Sequence, residues 1–352
     1  MASLTSHDAL PPFPDDVKTA PLYSISLAKL EAGDASSSDA FFEACRQLGF
    51  FYLDMLGSTL GETIVKEAEK LNKVQQEFFK LPNEVKDVYG RPHLHPFYAY
   101  RVYETENLQG ESVRNENYNL RKDDILGQCE RLACHPLILE HQALFESYVY
   151  HCRAAIDILL EHLNTHLQLP EGTLANLHRI HERSGDHVRF TQAQPQPWDD
   201  DRATRGEHTD FGSITVLFNW LGGLQIRTPD TNEWVYVRPV PGSCIVNLGD
   251  ALVKFTAGLL RSNIHRVVPA PGQQAELVRN SLVFFSRPED SVVLRRLKGG
   301  LIDAQPVSEQ VEEEMTADEW IMKKGTGQLP GVFTAKGFEY KPHNILPTAV
   351  KA

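Results

Sequence analysis

Apolar positions in this chain follow two rhythms. From about Ser38, Phe41, Phe42, Ala44, Cys45 and Leu48 fall on one side of a helical repeat and Gly49 stops it, which predicts a helix. FFYLDML then reads as a strand, and Leu60 to Phe79 predicts a long amphipathic helix ending before Pro82. Residues 87–130 are mixed, with Tyr89, Phe97, Tyr98, Tyr100, Tyr103 and Tyr118 scattered among glycines and charges. Helical spacing returns from about Pro136 to Leu167. After Pro170 the period shortens. HVRFTQA, ITVLFNWL, GLQIRT, WVYVRPV, SCIVNL, HRVVPA, NSLVFFS and SVVLRRL follow one another as β-rich runs. Gly, Pro, Asn and Asp punctuate them at roughly ten-residue intervals, the pattern of a sandwich or barrel. TADEWIMKK (Thr316–Lys324) is helical again, and the first 20 residues, rich in Pro and Asp, predict a loose arm.

These elements predict an α+β protein with helices packed around a β-sandwich. Residues 1–170 form a mainly helical region and 171–352 a β core with a C-terminal helix. No repeat or low-complexity linker separates them, so they are expected to fold as one unit. Composition narrows the function. A formal net charge of −12 disfavours a general nucleic-acid binder and an anionic-membrane binder, both of which need a basic face. The five cysteines (Cys45, Cys129, Cys134, Cys152, Cys244) are odd in number and contain no C-x-x-C pair, which points to a reducing compartment. MASLTSHDALPPFPDD lacks the basic and apolar regions of a secretory signal, and no apolar run approaches the ~20 residues of a membrane span. A cytoplasmic location follows as the expectation.

Candidate chemistry begins at GEHTDFGSITVLF. In an extended segment alternate side chains share a face, so His208 and Asp210 can address one ion. Alone this says little, because fourteen histidines give roughly one H-x-D by chance. His265, 55 residues after Asp210 in RSNIHRVVPAP, supplies a second imidazole from another β-rich run. Two imidazoles and one carboxylate leave coordination positions open, which suits iron(II) accepting a cosubstrate and dioxygen. A structural zinc site would use four ligands, usually with Cys, and none stands near in sequence. Arg279 and Ser281 then share a face at the start of RNSLVFF, a guanidinium and hydroxyl fitted to a carboxylate. Two other histidine pairs are set aside. His93 and His95 (HLHPF) read as a loop, and His162 and His166, spaced i, i+4, as a solvated helix face.

H-x-D, a histidine fifty to sixty residues on, then R-x-S resembles the iron(II)/2-oxoglutarate-dependent dioxygenases of the isopenicillin N synthase-like branch. HTDFGSITVLF, GGLQI, NLGDAL, SNIHRVV and the early ACRQLGFFYL are similar to that branch as well, so the resemblance spans about residues 20–345. It implies a double-stranded β-helix (jelly-roll) core flanked by helices, with His208, Asp210 and His265 on iron and Arg279 and Ser281 on the distal carboxylate of 2-oxoglutarate. The implied reaction consumes O2 and 2-oxoglutarate, releases succinate and CO2, and hydroxylates, desaturates or rearranges a small organic molecule, with natural-product biosynthesis the expected setting. The chain departs from the branch in three places. RFTQAQPQPW stands where many relatives have a tyrosine pair, leaving Arg189 or Thr191 to contact the cosubstrate. Asn219-Trp220 replaces a common Gln-Asp, and Ala257 a common asparagine. Candidates for the substrate pocket are Tyr98, Tyr100, Arg101, Tyr118, Phe211, Phe255 and Phe285, with Trp320 and Ile321 on the last helix either a lid or buried against the barrel. The alternatives are an iron oxidase of the same fold that needs no 2-oxoglutarate, a jelly-roll binding protein without turnover, and a cupin-like zinc or manganese enzyme.

Overall fold

The computed structural model describes residues 10–90, 95–106, 110, 112–199, 203–306 and 314–328. Its strands are β1 (Ser24–Ser26), β2 (Phe50–Asp54), β3 (Ala99–Glu106), β4 (Ser112–Arg121), β5 (His187–Ala193), β6 (Arg205–His208), β7 (Ile214–Asn219), β8 (Leu224–Arg227), β9 (Trp234–Tyr236), β10 (Ser243–Leu248), β11 (His265–Val267) and β12 (Arg279–Ser286). The helices are α1 (Leu27–Glu31), α2 (Ala35–Gln47), α3 (Thr59–Phe79), α4 (Asn83–Asp87), α5 (Lys122–Ile125), α6 (Pro136–Glu140), α7 (Gln142–His166), α8 (Asp250–Phe255), α9 (Gly300–Asp303) and α10 (Ala317–Gly325).

Two sheets make the sandwich. The major sheet runs β1-β2-β10-β7-β12-β5-β4-β3 and the minor sheet β6-β11-β8-β9. All pairs are antiparallel except β1 with β2. One face of the major sheet looks toward the minor sheet and the other is covered by α3 and α7. This is the jelly-roll arrangement, and with its helices the fold is α+β.

Helix α3 forms because Ile64, Ala68, Leu71, Val74 and Phe78 recur on one side, all buried. The Ser58 hydroxyl caps its start by accepting from the Gly61 amide at 3.0 Å. Phe78 then sits 4.8 Å from the Tyr118 ring, centroid to centroid, and meets Tyr100 edge-on, joining α3 to β3 and β4. Helix α2 begins three residues before Ser38 because the Asp34 carboxylate accepts from the Ser37 amide. The predicted helix over 136–167 is broken at His141 into α6 and α7.

Three expectations need correction. The mixed region holds two long strands, β3 and β4, whose alternation was obscured because β4 is buried on both faces. SVVLRRL is not a strand. Its one β-bridge among the described residues is Val293 to Thr316, and it is also held by single backbone bonds, Leu294 to the Met315 carbonyl and Leu297 to the Phe255 carbonyl, with Leu294 buried in the core. His162 and His166 do not face solvent, since the Ser38 hydroxyl lies 2.7 and 2.9 Å from their ring nitrogens and Phe42 stacks on His166. His95 is in a loop, as expected, accepting from the Phe97 and Tyr98 amides, and His93 lies outside the described residues. From residue 10 the N-terminal arm lies on the minor sheet, with Phe13 against Tyr236 and the Ala20 amide donating to the Tyr236 carbonyl.

Replacing Phe78 with Ala removes a fully buried ring at the junction of α3 with the sheet. It is expected to lower unfolding stability by ~3–5 kcal/mol, read from denaturant midpoints. A loss below ~1 kcal/mol would show that this junction does not hold the helices to the sheet.

Candidate active site

A cavity of about 690 Å³, counted with the open space at its mouth, lies between the sheets. Three titratable groups converge on it. His208 ends β6 and His265 begins β11, and the antiparallel register sets these two residues directly opposite each other. Their ring centroids are 4.2 Å apart. Asp210 follows two residues after His208, and its Oδ1 is 3.9 Å from His265 Nε2. One ligand atom from each residue falls within 4.8 Å of the others.

Neighbouring groups fix these side chains. His208 Nδ1 lies 2.8 Å from the Gly206 carbonyl, and His265 Nδ1 lies 3.1 Å from the Asn263 carbonyl. A carbonyl can only accept, so each Nδ1 carries the proton and each Nε2 keeps a lone pair for the cavity. Asp210 Oδ2 accepts from Thr215 Oγ1 on β7 and from Asn247 Nδ2 on β10, each at 2.8 Å. That leaves Oδ1 toward the imidazoles. Burial pushes the Asp210 carboxyl up, but His265, His208 and the two hydrogen bonds outweigh it and hold the group below the usual carboxylate range. His208 reaches the surface along one edge. Desolvation by the protein around it, with His265 and Arg205 beside it, keeps its pKa well below the ordinary value and its ring neutral.

Such a set fits ferrous iron: two imidazole nitrogens and a carboxylate oxygen, each oriented by a hydrogen bond to its other atom. The turn behind it is pinned. The Asp250 amide donates to the Asp210 carbonyl, Thr209 Oγ1 donates to Asp250 Oδ2 at 3.0 Å, and Lys324 of α10 approaches the same carboxylate at 3.6 Å. Trp320 Nε1 donates to the Phe211 carbonyl at 3.1 Å. Trp320 and Ile321 are thus buried against the barrel.

The other end of the cavity is cationic. Arg279 is buried at the start of β12 and donates through Nε to the Gly222 carbonyl at 2.6 Å. Gly223 makes room for this contact, because a Cβ there would lie 2.5 Å from the Val268 carbonyl and 3.2 Å from Arg279 Nε. Its φ of +101° also requires glycine. Burial pushes the Arg279 guanidinium down to about 10, which leaves it charged at neutral pH. Ser281 and Thr191 face each other across β12 and β5 and line the same wall. Arg189 lines it two residues further along β5.

Of the seven substrate-pocket candidates, Phe285 alone lines the cavity. The side-chain alternation explains most of the rest. Tyr100 and Tyr118 are paired on the helix-facing side of β3 and β4, in the core with Phe78. Phe255 belongs to α8 and is fully buried in that core. Tyr98 packs behind the wall against Phe97 and His187, while Phe211 packs against Phe97. Arg101 is exposed along a groove beside α10. Sequence reasoning missed Tyr103, Arg205, Thr215 and Asn247, all of which line the cavity. A signal existed for the β3–β4 wall. NENYN places Asn115, Asn117 and Asn119 at every second residue, a polar strand face that register pairs with Tyr103, Arg101 and Ala99.

Residues 184–288 match the 2OG-Fe(II) oxygenase superfamily, and residues 21–135 match the N-terminal region described as non-haem dioxygenase in morphine synthesis. A 2-oxoglutarate-dependent dioxygenase of Aspergillus fumigatus is 33% identical over 350 residues, covering 91% of this chain and 89% of the relative. Another from Gibberella zeae is 28% identical and covers 88% of each chain. Among solved structures, the full-length Neurospora crassa T7H in complex with alpha-KG and thymine superposes with a TM-score of 0.72 at 19% identity, over 88% of this chain and 97% of that one. JOX2 in complex with 2OG, Fe and JA gives 0.66 at 22%, over 88% and 89%. At those identities the two structures speak to the fold. The relatives, the two matched regions and the three converging side chains agree, and the chain belongs to the 2OG-Fe(II) oxygenase superfamily as a non-haem iron(II)- and 2-oxoglutarate-dependent dioxygenase.

Proposed function

We propose that His208, Asp210 and His265 hold the iron, and that Arg279 and Ser281 receive the distal carboxylate of 2-oxoglutarate with Thr191 on the same wall. The observation that carries this is one cavity with a His-Asp-His set at one level of the sheet and a buried arginine beside a serine at another. Once bound, iron and 2-oxoglutarate supply the oxidising chemistry, with succinate and CO2 released as the organic substrate is oxidised.

The chain's own residues have four tasks. Gly206 and Asn263 hold the two imidazoles in the tautomer that offers Nε2. Thr215 and Asn247 keep Asp210 ionised and turned inward. Arg279 offers a charge-assisted fork to a carboxylate, already oriented by its bond to Gly222. The apolar walls, Phe50, Leu217, Val267, Val283 and Phe285, exclude water and give a small organic molecule its seat. We place the reaction in natural-product metabolism in the cytoplasm, with no nucleic-acid or membrane partner. Five free cysteines and the net charge of −12 support that setting, and no described helix is long and apolar enough to cross a membrane.

Anaerobic titration of the purified protein tests the reading directly. 2-Oxoglutarate should bind only when Fe(II) is present, and binding that ignores the metal, or none at all, would defeat it. Asn247→Ala should weaken metal affinity ~10–100-fold by releasing Asp210, with the fold intact by circular dichroism; an unchanged metal isotherm would remove Asn247 from this role. Arg279→Met should raise the 2-oxoglutarate dissociation constant by ~30-fold or more, since the loss of a buried charge partner costs ~2–5 kcal/mol. Metal affinity in the absence of 2-oxoglutarate should change little. An Arg279→Met protein that still binds 2-oxoglutarate normally would move the anchor elsewhere.

A further inference from the structure

Arg189, named above with Thr191 as a candidate contact to the cosubstrate, presents a charge that the proposed seats of iron and 2-oxoglutarate leave unused. Its neighbour across β12 is Val283, four residues along the strand from Arg279. At ~3.3 Å per residue that is about 13 Å of strand. The guanidinium leans away from the Arg279 end. It stacks on the Phe285 ring at 4.6 Å, and Phe285 pairs in register with Thr215, the residue that bonds Asp210. Arg189 is therefore at the level of the metal ligands, displaced toward β4. Its Nε donates to Asn119 Oδ1 at 2.7 Å, and Asn119 Nδ2 is itself anchored on the Phe97 carbonyl at 3.0 Å. One edge and one face of the guanidinium are thus occupied. Its terminal amino groups have no hydrogen-bond or ion-pair partner among the described residues, and the side chain lines the cavity.

Charge accounting gives the ligand its sign. Among the described residues lining the cavity, Asp210 is the one carboxylate, against Arg189, Arg205 and Arg279. With the site loaded as proposed above, the two positive charges of ferrous iron and the one on Arg279 balance Asp210 and the two carboxylates of 2-oxoglutarate. Arg189 and Arg205 are left over. Arg189 is only 8% exposed, and a buried guanidinium without a counter-charge is costly, so an anionic ligand there recovers attraction that the protein does not supply. Burial and the nearby Arg205 and Arg287 charges also hold its pKa well below the usual arginine value.

We infer that Arg189, positioned by Asn119 and Phe285, is the anion-binding residue of the substrate subsite, and that the substrate is a small carboxylic acid with an apolar body. The planar carboxylate meets the two free amino groups as a fork, and the body packs on the apolar wall beside the metal. Anchoring the acid here determines which C–H faces the iron. The inference rests on the iron and 2-oxoglutarate reading of the site.

The test uses protein reconstituted anaerobically with Mn(II) and saturating 2-oxoglutarate, titrated calorimetrically with matched acid and amide probes: phenylacetate and phenylacetamide, 4-phenylbutyrate and 4-phenylbutyramide, octanoate and octanamide. At least one acid should bind at least about tenfold more tightly than its amide. Arg189→Gln should abolish that preference, while Arg189→Lys, which keeps the charge, should retain part of it. Both variants should still bind 2-oxoglutarate in an Mn(II)-dependent manner, which also reports that they are folded. The inference fails if no pair shows an acid preference, if the preference survives in Arg189→Gln, or if the acids displace 2-oxoglutarate. It fails equally if both variants lose 2-oxoglutarate binding, which would assign Arg189 to the cosubstrate or the fold. Absence of Mn(II)-dependent 2-oxoglutarate binding in the unaltered protein would instead sink the underlying reading of the site, and this inference with it.

Discussion

The Asp210 carboxylate is the group on which the two sheets agree. It follows β6 of the minor sheet in sequence, yet its hydrogen-bond donors, Thr215 and Asn247, come from adjacent strands of the major sheet. One oxygen spans the sandwich, and the other is left for the imidazoles. Both histidines belong to the minor sheet, so the proposed ligand set is correctly spaced only when the sheets keep their separation and register. The helices that cover the far side of the major sheet serve the site indirectly, by keeping that sheet rigid.

Much of this was legible in the chain, and the reason is physical. His208, His265, Arg279 and Ser281 lie on strands, and Asp210 two residues past the end of β6, where alternation makes side-chain direction readable, and each residue type has narrow chemical uses. The long helices were equally plain, because their apolar positions face one core. The β3–β4 wall was not. Tyr100 and Tyr118 suggested a pocket by their chemistry, but a tyrosine on the helix-facing side of a sheet looks the same in sequence as one on the cavity side. Parity decided it, since Tyr103 and the asparagines of NENYN hold the inward positions. Strand pairing fixes parity, and pairing is long-range information.

The replaced asparagine shows how a departure can be read once the backbone is known. Ala257 has a φ of +51°, in the left-handed region that asparagine tolerates far better than alanine. Alanine here therefore accepts local strain just after α8, a conformational cost rather than a chemical one. By contrast, Trp220, in the place of a common aspartate, is buried with its Nε1 donating to Glu69 of α3. An exchange that looks chemical thus ties the sheet to a helix.

Lys324 and Asp250 meet almost completely out of water, at 3.6 Å, with Asp250 also accepting from Thr209 between the two first ligands. That makes the last described helix a tensioning element for the ligand turn. Through this pair α10 is coupled to the turn that carries His208 and Asp210, which makes the helix part of the scaffold of the proposed metal site.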